Sequence, residues 1–158
     1  MSKYDVVIKK VDPLKVAALR DVVPTPPEQG RLWQELENYL VKHHVQTTDG
    51  LCLSLYHDEE YKEKDWDIEV CEPIEGDVPE TERVKVRKLA GAETMATVVH
   101  HGPYTTIGEA HEAVLKWISE NGYHIVGPDR EVYLRAANEG DQNDPDTLTE
   151  IQYPVEKG

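Results

Sequence analysis

The chain carries one sequence pattern twice, and this duplication limits the folds open to it. The segment Trp66–Ile74 closes the first half and Leu148–Val155 closes the second, with Glu69 aligned on Glu150. In each half an extended apolar run leads into a helix, a short strand ending in a tyrosine, a polar loop and the closing strand. A period of roughly 80 residues is too long for a solenoid and suits a duplicated βαββ unit. The sequence therefore predicts an α+β fold with an antiparallel sheet, two main helices and a central ligand cleft where the halves meet.

The boundaries of the halves follow from a change in sequence character. The first repeat is predicted at about 4–74 and the second at about 84–155. The stretch 75–83 is acidic, contains Gly and Pro and has no periodicity, so it is predicted to be a linker. At 158 residues, the chain is predicted to form a single domain, 1–158.

Hydrophobic spacing places the helices and strands. Helices are predicted at about 27–45 and at 105–121, where Thr106 and Glu109 form a capping-box pattern and Gly122 ends the helix. Strands are predicted at 4–8, 16–23, 50–56, 66–74, 84–89, 94–99, 123–126, 130–134 and 148–155, with polar loops at 57–64 and around Gly140.

Charge and apolar content narrow the partners. A formal charge of −14 repels phosphate backbones and attracts cations, although acidity also simply keeps proteins soluble. No direct nucleic-acid binding is expected. The chain shows no signal core and no apolar stretch near the roughly 18 residues that span a bilayer, so no membrane contact and a cytoplasmic location are predicted. Cys52 and Cys71 are interpreted as buried thiols, with a bridge between their strands as the alternative.

The aromatic residues all carry a polar group. The chain has no Phe, eight Tyr and three Trp. Such side chains suit a partly wet pocket, where a flat face stacks on a ligand and the hydroxyl or indole N–H finds a partner. Chance composition is the alternative.

Four motifs in the second half resemble a known family. They are His101–Tyr104, Asn121–Tyr123, Gly127–Tyr133 and Glu150–Val155. Together they resemble the GyrI-like family, the effector-binding domain that is also found at the C-terminus of AraC-type and MerR-type multidrug regulators. The resemblance covers essentially the whole chain. It implies a central groove in which a buried glutamate and aromatic rings receive cationic, often aromatic, small molecules.

The resemblance also suggests which residues bind the ligand. It places the acidic pocket residue of the family at Glu131. The predicted ligand-binding set is Glu131, Tyr133, Tyr104, Tyr153, Trp66, Tyr56 and Trp33. Because the sequence starts at the first predicted strand, without a helix-turn-helix, it resembles a stand-alone member.

The spacing of Glu131 and Tyr133 supports a shared role. Residues two apart on a strand point to the same face, so a carboxylate and a phenol would meet one ligand. A delocalised cation would compensate a buried carboxylate and stack on the rings. The alternative is a surface pair of Glu131 with Arg87 or Arg135. Glu69 and Glu150 are predicted to be solvent-facing; with the strand faces inverted, they would enter the cleft instead.

Metal binding and catalysis receive less support. The seven histidines have no metal-ligand spacing and no axial haem ligand stands out, so no metal or cofactor is predicted. No serine or cysteine nucleophile motif is present. We therefore favour a binding protein over an enzyme. The alternatives are a hydrolase of strained-ring genotoxins, with Glu131 as general acid or base beside Tyr133, and a protein that interacts with gyrase or a regulator.

Overall fold

The computed structural model describes residues 4–48, 50–58, 64–136 and 141–158. Its helices are α1 (Gly30–Lys42) and α2 (Ile107–Glu120), each preceded by a short 3-10 turn. The strands are β1 (Val7–Val11), β2 (Leu14–Val23), β3 (Gln46–Thr47), β4 (Leu53–Tyr56), β5 (Trp66–Glu75), β6 (Val84–Leu89), β7 (Ala92–His101), β8 (Tyr123–Ile125), β9 (Asp129–Arg135) and β10 (Leu148–Lys157). Most of the predicted loop 57–64 and the residues just before and at Gly140 lie outside the described residues. The predicted α+β class is confirmed.

The chain forms two compact units, which we call the first-half unit (13–90) and the second-half unit (1–12 with 91–158). In the first-half unit the strand order is β4-β5-β2-β6, with β3 also paired to β5. In the second-half unit the order is β1-β7-β10-β9, with β8 also paired to β10. All of these pairings are antiparallel. The opening strand of each predicted repeat therefore pairs in the unit that contains the other helix, which local sequence patterns do not reveal.

Each unit buries an apolar helix stripe against one face of its sheet. In the first-half unit, Leu32, Leu36 and Tyr39 of α1 are buried with residues of β2 and β5. In the second-half unit, Ala110 and Val114 of α2 are buried with residues of β7 and β10. The predicted helical stripes are thus the core sides of the helices.

The start of α2 differs from the predicted capping box. Thr106 has backbone angles of −112° and 6° rather than an extended conformation, and within the described chain its side chain does not cap the helix. Its hydroxyl donates to the carbonyl oxygen of Pro103 at 3.1 Å instead. The preceding 3-10 turn, Tyr104–Thr106, accounts for the difference because it already continues the chain into the helix.

Two glycines at either end of α2 provide a stability test. Gly108 lies in the helix with open space where a Cβ would stand, whereas Gly122 has a φ of +74°. Gly108→Ala is expected to raise the free energy of unfolding by about 0.5–1 kcal/mol, because alanine loses less backbone entropy in a helix. Gly122→Ala is expected to lower it by about 1 kcal/mol, since the left-handed region disfavours a Cβ. Urea unfolding of both variants measures the difference; changes of the same sign would contradict it.

Candidate functional site

Strand register places Glu131 and Tyr133 on the helix-facing side of the second-half unit. In the β9–β10 ladder, Glu131 lies opposite Ile151 and Tyr133 lies opposite Thr149. Ile151 belongs to the core beneath α2, and so does Tyr153, two residues further along β10. The predicted shared face of Glu131 and Tyr133 is therefore confirmed, and it is the face that α2 covers.

Glu131 is a buried carboxylate held by side chains on both of its oxygens. The residue is 7% exposed. Nε2 of His111, on α2, lies 2.8 Å from Oε2 of Glu131. The Tyr133 hydroxyl donates to Oε1 at 3.3 Å, and the Tyr104 ring meets the Tyr133 ring edge-on with centroids 6.0 Å apart.

His111 links Glu131 to a second acid and a second phenol. Its Nδ1 lies 2.8 Å from the Tyr153 hydroxyl and 3.9 Å from Oδ2 of Asp129. Burial strongly raises the pKa of Tyr153, and the negative charges of Asp129 and Glu131 raise it further. The Tyr153 phenol therefore keeps its proton. We call Asp129, Glu131, His111, Tyr133 and Tyr153 the Glu131 cluster.

The environment of His111 favours its charged form. Burial by itself lowers the pKa of His111, but the hydrogen bond and charge of Glu131 and the charge of Asp129 outweigh it. The pKa of His111 is therefore raised above its ordinary value of 6.5. A protonated His111 would thus place its charge between two carboxylates, with ring nitrogens 2.8 Å from Glu131 and 3.9 Å from Asp129.

His111 and Asp129 are not among the ligand-binding residues predicted from the sequence. His111 lies four residues after Ile107 and three before Val114, which places it beside the apolar stripe of α2. A histidine at the margin of a core-facing stripe was the available signal. The role of this histidine becomes visible only through its contact with Glu131, which lies 20 residues further along the chain.

The equivalent positions of the first-half unit hold a neutral network. Ser54 and Tyr56 of β4 correspond in the repeat to Glu131 and Tyr133. The Ser54 hydroxyl and the Trp33 indole N–H both donate to Oε1 of Gln29, at 2.6 and 3.0 Å. Nε2 of Gln29 donates to the Tyr56 hydroxyl at 3.2 Å. Of the two related positions, only that of the second half carries a carboxylate.

The predicted solvent exposure of Glu69 and Glu150 is wrong. Glu69 is 5% exposed, and its carboxylate accepts two hydrogen bonds from Arg87, at 2.7 and 3.0 Å, and contacts Nε2 of His57 at 2.8 Å. Glu150 accepts hydrogen bonds from Lys9 and Gln152. Alternation predicted a solvent-exposed strand face, but on that face Arg87 and His57 enclose the Glu69 carboxylate, and the side chain of Glu150 is only 12% exposed beside Lys9.

The structure also shows the positions of Trp66, of the arginines considered as partners of Glu131, and of the two cysteines. Trp66, at the start of β5, packs partly buried against the first-half core. The surface pair of Glu131 with an arginine does not describe the structure, since Glu131 is buried beside His111 and Arg87 is bound to Glu69. Cys52 and Cys71 do not form the alternative disulfide; Cys71 is buried and Cys52 is half-buried, and burial raises the pKa of Cys52 to about 11.

The described residues show neither a membrane span nor a metal site. In this part of the chain no helix combines the length and apolar character that crossing a bilayer requires. No group of three or more His, Cys, Asp or Glu side chains in the same ranges is arranged to hold a metal ion.

Comparison with known proteins gives one family and a close structural relative. The family described as "GyrI-like small molecule binding domain" matches residues 4–156. The crystal structure of the EcmrR C-terminal domain is similar with a TM-score of 0.90 and 29% identity, covering 99% of this chain and 100% of that one. EcmrR in its cryo-EM complex with DNA matches with a TM-score of 0.89 and 30% identity, and there the chain covers 98% of its own length but 58% of the regulator. No curated protein matches the chain in sequence.

More distant structures share the fold alone. A hydrolase from Listeria innocua matches with a TM-score of 0.68 and 14% identity, over 96% of this chain and 92% of that one. SAV2435 bound to tetraphenylphosphonium matches with a TM-score of 0.62 and 13% identity, over 96% of this chain and 94% of that one.

Proposed function

The chain belongs to the GyrI-like small molecule binding domain family, and on that premise we propose that it binds a cationic, aromatic small molecule whose charge is met by Glu131. We further propose that it does so in the cytoplasm, without contacting nucleic acid itself. The predicted ligand-binding residues Trp33, Tyr56 and Trp66 remain part of this proposal.

The observation that carries the proposal is the chemistry of the Glu131 cluster. A buried carboxylate is costly unless a cation compensates it, and here it lies among the phenol groups of Tyr133 and Tyr153, with Tyr104 beside them. Aromatic faces bind organic cations more strongly when water is excluded. The distant relative SAV2435 bound to a permanent organic cation is consistent with this ligand class.

The proposal predicts discrimination by charge. A permanent organic cation such as tetraphenylphosphonium is expected to bind at least several-fold more tightly than an uncharged analogue of the same shape, because only the cation gains from Glu131. Calorimetry measures both affinities, and tryptophan fluorescence follows the same titrations. Equal affinities would contradict the electrostatic part of the proposal.

A hydrolase is the second candidate, favoured by the contact between Glu131 and His111. A carboxylate and an imidazole 2.8 Å apart are able to exchange a proton during attack by water on a strained or electrophilic ligand. A product assay with an epoxide or a similar strained-ring electrophile tests this. Turnover that is lost in Glu131→Gln while binding persists would establish the hydrolase.

A further inference from the structure

Both ring nitrogens of His111 face groups that accept hydrogen bonds. Nε2 lies 2.8 Å from Oε2 of Glu131, and an ionised carboxylate only accepts. Nδ1 lies 2.8 Å from the Tyr153 hydroxyl oxygen, a group able to accept a hydrogen bond, and 3.9 Å from Oδ2 of Asp129. A protonated ring donates to both groups and has two carboxylates within 4 Å, so the geometry around His111 accommodates an imidazolium.

His111 is also the more accessible partner of the pair. Its side chain is 20% exposed, whereas the side chain of Glu131 is 9% exposed. A cationic ligand at Glu131 and a protonated His111 would both pair with this one carboxylate. The two cations compete for the same negative charge.

The proton of His111 is the charge of the Glu131 cluster that we expect to change with pH. The groups facing the ring are Asp129 and Glu131 from β9 and Tyr153 from β10. One helical turn away on α2, at 107, 108, 114 and 115, there is no charged residue. The other elements packed against α2 contribute titratable side chains that have contacts of their own. His100 of β7 bonds to Tyr4, and Tyr123 of β8 stacks on Trp117. Tyr104 of the 3-10 turn packs on Tyr133. Loss of the His111 proton therefore removes one positive charge from beside Asp129 and Glu131.

We propose that His111 is the protein's own cation at Glu131, and that a cationic ligand binds there in exchange for the His111 proton. The inference rests on the proposed function and adds the residue that sets the affinity of the site for cations. No covalent step is involved: one positive charge enters the cluster and one proton leaves from Nδ1 to solvent.

The sign of the pH dependence follows from this exchange. His111 keeps its proton above pH 6.5 because its pKa is raised. Cation affinity is then weakest where His111 is fully charged and increases as the pH rises through that pKa. Release of one proton limits the slope to about tenfold per pH unit. A neutral ligand gains nothing from the exchange, so its affinity stays level.

The test uses tetraphenylphosphonium, which has no titratable group. Calorimetry between about pH 6 and pH 9, in pairs of buffers that differ in ionisation enthalpy, gives the affinity and the number of protons released. The wild type is expected to release close to one proton per cation at the acidic end and to bind at least tenfold more tightly at the alkaline end. His111→Gln retains a neutral N–H donor for Glu131, and it is expected to release no proton and to bind with an affinity that does not vary with pH. His124→Gln, with its side chain 58% exposed on β8, is the matched control and should keep the wild-type pH dependence.

The outcomes separate the inference from the proposed function. Binding of the cation by the wild type without proton release would overturn the exchange and leave the proposed function standing. An absence of cation binding at every pH would overturn both. If His111→Gln does not fold, the proton count of the wild type still decides, together with NMR titration of the His111 ring. That titration is expected to show a pKa that falls when the cation saturates the protein, and an unchanged pKa would contradict the exchange.

Discussion

Replacing Glu131 with Gln is expected to weaken binding of a permanent organic cation by about one to two orders of magnitude, roughly 1.5–3 kcal/mol, and to leave a neutral analogue nearly unaffected. Glutamine keeps the shape of the side chain and part of its hydrogen bonding but removes the charge. The expected loss is large because the carboxylate is buried, where charge is poorly screened. Calorimetry with the two ligands above pH 8, where His111 is closer to neutral, isolates this contribution.

The fold of this variant is expected to survive at alkaline pH, since the amide remains able to hydrogen-bond a neutral imidazole. Glu150→Gln is the matched control. Glu150 belongs to the same unit, but it precedes the core residue Ile151 on β10 and therefore lies on the strand face that is turned away from α2. Normal cation binding by Glu131→Gln together with a loss in Glu69→Gln or Glu150→Gln would place the binding site on the other strand face and contradict the role of Glu131.

Replacing Glu69 with Gln is expected to lower the free energy of unfolding at neutral pH by about 2–3 kcal/mol. Burial alone would raise the pKa of Glu69, but hydrogen bonds from His57 and Arg87 and their charges lower it from 4.5 to about 2. A depressed carboxyl pKa stabilises the folded state above the unfolded value of 4.5, and that contribution is lost as the pH falls towards 2. The deficit of the variant should therefore be complete at neutral pH and nearly vanish at pH 2.

Urea unfolding at a series of pH values between neutral and about pH 2.5 measures this contribution. The exposed Glu112 of α2 provides the control, because Glu112→Gln removes the same charge without removing a buried pair. A deficit in Glu69→Gln that does not change with pH would contradict the ion pair as its cause.

The sequence anticipated the elements better than their pairing. Apolar stripes identified α1 and α2, and alternation identified most strands, because both patterns are local and repeat along the chain. The pairing of β1 with β7 and of β6 with β2 was not foreseen. Strand partners are chosen by contacts between distant segments, which periodicity does not encode. The same limitation explains Glu69: a single strand does not show what covers its second face.

The candidate site also has a part that the sequence identified and a part that only the structure revealed. The family motifs identified Glu131, and two-residue spacing put Tyr133 on its face, because strand geometry fixes the direction of alternate side chains. The packing of α2 decides which strand face it covers. The same packing brings His111 to both Glu131 and Tyr153. By itself, then, the sequence determined the duplicated α+β plan, the family and the acidic residue. Only the tertiary structure decided that an imidazole lies 2.8 Å from this acid, because a contact between residues 20 positions apart exists only once helix and sheet are packed together.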